Sequence, residues 1–498
     1  MTIPLAMHPT TLLHLLGSTP VRLMVGDPRG RVSGLTYDSR KVTSGDVFVA
    51  LVGAGVDGHD FVPQALEAGA AALVVSTRPA GVPASVPIAV VDDTRATLAR
   101  LATSWYRRPS RAVDVMGVTG TNGKTTVTYL LEALATAAGG RAAVIGTTGC
   151  RWAGKVTPLQ NTTPESLDLQ RMIRSVAEEG ATHVALEVSS HGLQTHRLDG
   201  TSFATRTFTN LSRDHLDFHG GMEAYYQAKR RLFLELEGGP AAINADDPYG
   251  QRLLQEFRAA VSFSVLPDTS SAVRPSGPVM LTPAGIEADF ATPVGRVAVS
   301  SPLVGRPNLE NIAAAIATGV ALDLPASTLA QAACAPVHCP GRLERIPDPA
   351  GGRLVIVDYA HTPEALSRVL RSVRDLAPGD LVAVFGCGGE RDEGKRPLMA
   401  QAAVDSADCV VLTDDNPRGE DPAAIRAAAL AGVPAADRDR IEEIGDRREA
   451  IARALQIAGP NDAVVIAGKG HEAWQEVAGE KRPFDDAAVV AELLTEES

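Results

Sequence analysis

Apolar and polar positions along the 498-residue chain fall into two repeating patterns. Short continuous apolar runs, bounded by glycine, proline or aspartate, recur between stretches with helical spacing. Runs of the first kind read as strands buried on both faces, and the spaced stretches read as the helices that cover them. The pattern therefore predicts an α/β fold. Strands are expected over 32–37, 47–52, 71–75 and 88–91, with a helix over 61–68. The alternation resumes with a strand over 112–118, a helix over 127–137, and strands over 143–145, 183–188 and 208–211. Helices are expected from about Ser166, where Thr162-Thr163-Pro164-Glu165 can cap the start, and over 222–234. Residues 267–300 read as a small β-rich insertion, and Asn308-Leu309-Glu310-Asn311 opens an alanine-rich helix. After a linker at 336–341 come strands over 354–357, 381–385, 409–412 and 463–467. These breaks divide the chain into 1–110, 111–340 and 341–498, in keeping with three domains at about 150 residues each.

Composition narrows the class of partner. A net charge of −12 argues against general nucleic-acid affinity but leaves anionic small molecules open, since one local basic pocket suffices. The five cysteines, Cys150, Cys334, Cys339, Cys387 and Cys409, are odd in number and widely spaced, which suits reduced thiols better than disulfides or zinc. No run of about 18 apolar residues exists and the N-terminus lacks a basic-then-apolar leader. A soluble cytoplasmic protein that touches neither membrane nor nucleic acid is expected, working as a monomer.

The strongest chemical signal is Gly120-Thr121-Asn122-Gly123-Lys124-Thr125-Thr126, placed between the strand at 112–118 and the helix at 127–137. Strand, glycine-rich turn and helix make a phosphate cradle: backbone N–H groups approach phosphate oxygens and the helix N-terminus adds partial positive charge. Lys124 would reach the outer phosphates and the Thr125 hydroxyl would ligate Mg²⁺. The common pattern G-x-x-x-x-G-K-[ST] is incomplete, since Val118 stands at its first glycine.

Other polar loops follow predicted strands. Asp38-Ser39-Arg40 and the 53–58 loop are plausible ligand loops, although simple turn chemistry accounts for both. Glu187 ends the strand at 183–188, where a carboxylate beside a phosphate loop would hold Mg²⁺. His215 and His219 lie in the charged loop 212–219, which favours a site over a core role. In the last third, loops beginning at Asp358, Gly386, Thr413 and Gly468 follow four strands and would share one rim of an open sheet, where doubly wound folds bind ligands.

These motifs together, Gly120 to Thr126, Glu187-Val188-Ser189-Ser190-His191, Asn210 to His215, Asp358 to Pro363 and Gly468 to Glu472, resemble those of the Mur ligases, the ATP-dependent amino-acid ligases of peptidoglycan synthesis. Val118 matches that family's own form of the phosphate loop. The resemblance covers nearly the whole chain. It implies an N-terminal domain for the UDP end of the substrate, a central P-loop ATPase domain and a Rossmann-like C-terminal domain. Asp38-Ser39-Arg40 and Asp415-Asn416-Pro417-Arg418 resemble the member that adds the third residue to UDP-N-acetylmuramoyl-L-alanyl-D-glutamate, in the form that uses meso-diaminopimelate.

The resemblance also implies roles. A substrate carboxylate would attack ATP, with Mg²⁺ as cofactor, and give an acyl phosphate that the incoming amine attacks. Lys124, Glu187, His215 and Lys229 would form the catalytic set. Thr125 and Glu187 would hold one Mg²⁺, and His215 and a carbamylated Lys229 a second. Without the resemblance, Lys229 reads as a solvated helix cation. Asn308, Asn311, Arg342 and Asp358 would lie near ATP along with residues 120–126. Tyr37, Ser39, Ala54, Gly55, Val56, Asn161, Thr162, Thr163, Ser190, Gln194 and Arg197 would surround the nucleotide-sugar substrate. Arg391, Asp415, Asn416, Pro417, Arg418, Gly468 and Glu472 would receive the amino acid. Arg418 offers a planar fork for the far carboxylate of diaminopimelate, which lysine and ornithine lack. The competing readings are the same ligase with lysine or ornithine, a folylpolyglutamate synthase-like ligase, and a nucleotide-gated binding protein without chemistry. The 415–418 motif and the N-terminal third disfavour the synthase, and the Glu187, His215 and Lys229 set disfavours the binding protein.

Overall fold

The computed structural model describes residues 10–53, 55–267 and 269–496. The chain groups into two compact units: one runs to Ser264 and takes in Ala314–Thr328, and the other comprises Val265–Ala313 and the chain from Leu329. The boundary falls inside the helix Arg306–Ala321.

The first unit contains two large sheets. A five-stranded sheet has the order Leu23–Val25, Ile88–Val90, Ala72–Val75, Asp46–Val49, Gly34–Thr36, parallel except for its first strand. The single strand expected over 32–37 is broken at Ser33, whose N–H donates to the Gly45 carbonyl at 2.9 Å. Arg31–Val32 instead pairs with Thr10–Thr11, while Gly34–Thr36 joins the sheet.

The second sheet has eight strands. Its centre runs Ala142–Gly146, His183–Glu187, Asp114–Thr119, Thr205–Phe208, Ala241–Asn244, all parallel. That order carries the C-terminal ends of Asp114–Thr119, His183–Glu187 and Thr205–Phe208 to one rim. The strand expected at 208–211 lies earlier, at Thr205–Phe208. Its Thr-Arg-Thr sequence gives no apolar signal, because Arg206 is buried by other means. Its guanidinium donates to the carbonyl of Phe233 at 3.0 Å, in the last turn of the helix Met222–Leu234, and to that of Gly238 at 2.9 Å, beyond the helix. At two helix starts, one boundary and one cap also differ. Lys124–Ala137 begins three residues before the apolar period. Ser166–Glu178 is capped by the Glu165 carboxylate alone, since the Thr163 hydroxyl is drawn to the Glu187 carbonyl.

In the second unit, a six-stranded sheet has the order Glu344–Ile346, Leu354–Asp358, Ala463–Ala467, Leu381–Cys387, Cys409–Asp414, Ile441–Glu443, parallel from Leu354 onward. Alternate strand residues supply two cores. Ala383, Phe385 and Val465 pack with Leu366, Leu370 and Met399 of the helices Pro363–Arg374 and Lys395–Ser406. Val382, Val384 and Ile466 pack with Ile451, Leu455 and Val490 of Arg447–Ile457 and Asp486–Glu496. Helices thus cover both faces, as in a doubly wound fold, and four strand ends open on one rim. The expected β insertion is an antiparallel sheet of Arg274–Pro275, Met280–Thr282, Gly285–Thr292 and Gly295–Ser301. All five cysteines are free, and among the described residues no helix is long and apolar enough to cross a membrane.

Candidate active site

The loop after Asp114–Thr119 is built by close approach. A Cβ on Gly120 would lie 1.9 Å from the Thr209 hydroxyl oxygen, so only glycine passes there. Gly123 sits at φ +85° and begins the helix without a capping side chain, which leaves N–H groups of the first turn for an anion. The neighbouring 209–212 segment braces the loop: Thr121 N donates to Asn210 O and Asn122 N to Asn210 Oδ1, both at 2.9 Å. Lys124 folds back, its Nζ donating to the carbonyls of Gly120 at 3.0 Å and Thr121 at 2.9 Å. Thr125 is buried in the first helical turn.

Glu187 ends its strand fully buried, opposite Val118 in the ladder. Its oxygens accept from Thr147 N at 2.9 Å and Thr147 Oγ1 at 3.0 Å. Both donors are neutral, so the charge of this buried carboxylate calls for a cation, and a Mg²⁺ shared with Thr125 fits that need. Among the described residues no three His, Cys, Asp or Glu side chains converge into a ready-made metal site. A cation here would complete its shell with phosphate oxygens and water.

Lys229 is not the solvated helix cation its neighbours in sequence suggest. It is 1 % exposed, and its Nζ donates to the Gly120 carbonyl at 2.8 Å and lies 4.6 Å from the Tyr225 ring centre. Burial, then the nearby Lys124 charge, pushes its pKa far below the ordinary lysine value. The neutral amine this favours is the form that can take up CO₂. His215, at φ +53°, starts the short helix Leu216–His219 and packs edge-on to His191 with ring centres 4.9 Å apart. Burial holds the His215 imidazole below its usual pKa, the neutral form a metal would need.

Candidate substrate residues line up behind Glu187. Thr162 Oγ1 meets Thr147 Oγ1 at 3.1 Å, Thr163 Oγ1 donates to Glu187 O at 2.8 Å, and Arg197 Nη1 donates to Thr163 O at 2.9 Å. Arg197 Nε is buried without a hydrogen bond and lies 3.5 Å from Glu165 Oε2. Ser190 is buried, while Asn161 and Gln194 are exposed. In the five-stranded part, Tyr37 OH donates to Asp168 Oδ2 at 2.5 Å and Ser39 Oγ to Gln64 Oε1 at 3.0 Å. Gly55 and the exposed Val56 lie in a turn closed by Gly53 N to Val56 O at 2.9 Å. Ala54 lies outside the described residues.

The second unit holds its own cluster. Asp358 is buried and accepts from Leu343 N at 2.7 Å and Ala360 N at 2.9 Å, while Arg342 lies 4.7 Å above the Tyr359 ring. Asn308 and Asn311 are buried on one helix and bonded to each other at 3.1 Å. Around the last two strand ends, Asn416 Nδ2 donates to Glu472 Oε2 at 2.9 Å. Asp415 is buried, with Oδ1 unpartnered by any hydrogen bond. Pro417 stands between this pair and Arg418, and Gly468, at φ +116°, would set a Cβ 3.4 Å from Asp415 Oδ2. Arg391 is exposed beside Gly388. Arg418 sits at φ +54°, a strained position for a non-glycine residue, held by main-chain pairing to the hairpin Trp474–Val477 and Glu480–Pro483. Its N–H donates to Glu476 O at 3.0 Å and its carbonyl accepts from Ala478 N at 2.6 Å. Its Nη1 donates to Gly389 O at 2.6 Å.

A glycine-rich loop between a central parallel strand and a helix, next to a strand ending in a buried carboxylate, defines a phosphate-loop nucleotide-binding fold. The chain belongs to the Mur ligase family. It matches the Mur ligase family catalytic domain over residues 31–106, the Mur ligase middle domain over 118–319 and the Mur ligase glutamate ligase domain over 341–470. It is 44 % identical, over 93 % of its length and 94 % of the relative's, to the UDP-N-acetylmuramoyl-L-alanyl-D-glutamate--2,6-diaminopimelate ligase of Gloeobacter violaceus. A solved structure of an enzyme with that name matches with 37 % identity and a TM-score of 0.71, covering 98 % of this chain and 99 % of that one. The Mycobacterium tuberculosis folylpolyglutamate synthase complexed with ADP and AMPPCP shares the fold at 20 % identity and TM-score 0.60, covering 75 % of this chain and 92 % of that one.

Sequence reasoning gave no role to Thr147 or Tyr225. Tyr225 had a signal: it stands four residues before Lys229 on one helix, so the two share a face. Thr147 had none, because its tie to Glu187 depends on strand order.

Proposed function

We propose that this protein is the ATP-dependent ligase that joins meso-diaminopimelate to UDP-N-acetylmuramoyl-L-alanyl-D-glutamate in cytoplasmic peptidoglycan-precursor synthesis, acting as a monomer. The names of the relatives support the reaction, and Lys229 is the observation that carries the site. A fully buried amine beside Lys124, sharing its carbonyl partner, makes sense as the precursor of a carbamate.

A carboxylate is a poor electrophile until its oxygen is esterified. The D-glutamyl carboxylate attacks the γ-phosphorus of ATP, the bond to ADP breaks, and an acyl phosphate forms. The amine of diaminopimelate then attacks the acyl carbon, inorganic phosphate leaves, and the ammonium loses its proton. The chain supplies positioning and charge neutralisation. Residues 120–126 receive the triphosphate, with Lys124 turning from its loop carbonyls to the outer phosphates. Thr125 and Glu187 would hold one Mg²⁺, and His215 with carbamylated Lys229 a second, neutralising charge on the phosphates. Asn308, Asn311, Arg342 and Asp358 serve ATP from their own unit. Tyr37, Ser39, residues 54–56, Asn161, Thr162, Thr163, Ser190, Gln194 and Arg197 serve the nucleotide-sugar dipeptide. Arg391, Asp415, Asn416, Arg418, Gly468 and Glu472 serve the diamino acid.

The test is phosphate release from ATP that requires both the UDP-muramoyl dipeptide and a diamino acid, with diaminopimelate, lysine and ornithine compared side by side. Turnover with lysine or ornithine equal to that with diaminopimelate would overturn the amino-acid assignment. Phosphate release independent of the dipeptide would overturn the reaction.

A further inference from the structure

Lys469 lies within the Gly468 to Glu472 motif, and the reaction above leaves it without a task. It is fully buried, yet it ends in a charge. Flanking glycines at φ +116° and +52° bring the chain tightly around it; at Gly470 a Cβ would lie 2.7 Å from that of Tyr359. Its Nζ lies 3.2 Å from Asn416 Oδ1, 3.5 Å from Glu472 Oε2 and 3.8 Å from Asp415 Oδ1. Filling this space alone would be done at lower desolvation cost by an apolar side chain of similar length.

We infer that Lys469 is a positioning residue for the diamino acid, locking the Asn416 amide so that it presents N–H groups toward Glu472 and toward a substrate carboxylate. The argument is one of donor and acceptor inventory. Asn416 Oδ1 is met by two groups that can only donate, the Lys469 ammonium and the Glu476 N–H at 2.9 Å. On the other side Nδ2 meets the Glu472 carboxylate at 2.9 Å, a group that can only accept. Turning the amide over would set NH₂ against an ammonium and an N–H, and oxygen against a carboxylate. Lys469 and Glu472 therefore fix the amide from opposite ends. One Nδ2 hydrogen is committed to Glu472, and the other is left for a ligand acceptor. The same ammonium offsets the Asp415 and Glu472 charges, so that the pair does not repel a substrate carboxylate.

The inference rests on the assignment of the 415–418 and 468–472 loops to the amino acid, and the experiment separates the two. Steady-state kinetics of the full chain are measured with each substrate varied in turn. Lys469→Met should raise the KM for diaminopimelate about tenfold or more, the scale of one charge-assisted hydrogen bond, and leave the KM for ATP and for the UDP-dipeptide unchanged. Adding Asn416→Ala to Lys469→Met should then cost little more, because the two act through one amide. A uniform fall in kcat with every KM unchanged, or fully additive losses, overturns the inference. If Asn416→Ala and Arg418→Ala raise the diaminopimelate KM but Lys469→Met does not, the positioning role alone is wrong. If none of the three moves it, the subsite assignment fails and takes the inference with it. Should Lys469→Met not fold, Asn416→Asp carries the test: it keeps an oxygen for Lys469 and removes the N–H groups. A diaminopimelate KM unchanged by Asn416→Asp overturns the inference.

Discussion

Lys229 and Lys124 donate to the same acceptor, the carbonyl oxygen of Gly120, at 2.8 and 3.0 Å. Burial first, and then repulsion from the Lys124 ammonium on the same carbonyl, favour the neutral form of Lys229. Lys229→Ala is expected to remove most turnover, and short carboxylates such as formate or acetate should restore part of it. Labelled bicarbonate should give a carbamate resonance in the unmodified protein and none in the variant. Because the pKa of Lys229 lies well below the ordinary 10.5, carbamate occupancy should climb at pH values where surface lysines remain ammonium.

Glu187→Gln keeps the shape and an acceptor for the Thr147 N–H while removing the charge. Turnover should fall about a hundredfold, the scale for deleting one charge-stabilising group, and the magnesium requirement should rise. The melting temperature should hold or increase, since a buried amide is cheaper to desolvate than a buried carboxylate. Thermal unfolding and a magnesium titration of activity check both.

Arg418→Ala should erase the preference for diaminopimelate over lysine. The lost interaction is about 1.5–3 kcal/mol, or roughly tenfold to a hundredfold in relative kcat/KM. Competition between the two amino acids reads it directly.

His471 packs 5.0 Å from the Tyr359 ring centre, and burial lowers its pKa from 6.5 to about 4. It is neutral in the fold and protonates more readily when unfolded. Its contribution to stability is therefore complete above about pH 6.5 and is lost as pH falls toward 4. Its share of the acid loss is about 2 kcal/mol after discounting for partial exposure. His471→Gln should flatten the denaturant-unfolding midpoint between these pH values.

Elements with an unbroken apolar run or clear helical spacing were legible from sequence. The strand at 463–467 and the helix at 222–234 have the boundaries their patterns give. Thr205–Phe208 was not, because Arg206 is buried through carbonyls that only the folded chain brings to it. The same division holds in the candidate site. Loop chemistry singled out Glu187 and the family resemblance Lys229, yet the neutral donors around the first and the complete burial of the second arise from strand order and helix packing. Sequence spacing carries no information about which rim a distant threonine reaches.

The backbone of Arg418 is stitched to a hairpin dozens of residues downstream, and its guanidinium is aimed by that seam. Transplanting Asp415 to Arg418 into a scaffold without the hairpin would copy the spelling and lose the grip. Lengthening or stiffening the ribbon at 474–483 should, conversely, retune which diamino acid is accepted with every motif residue left in place.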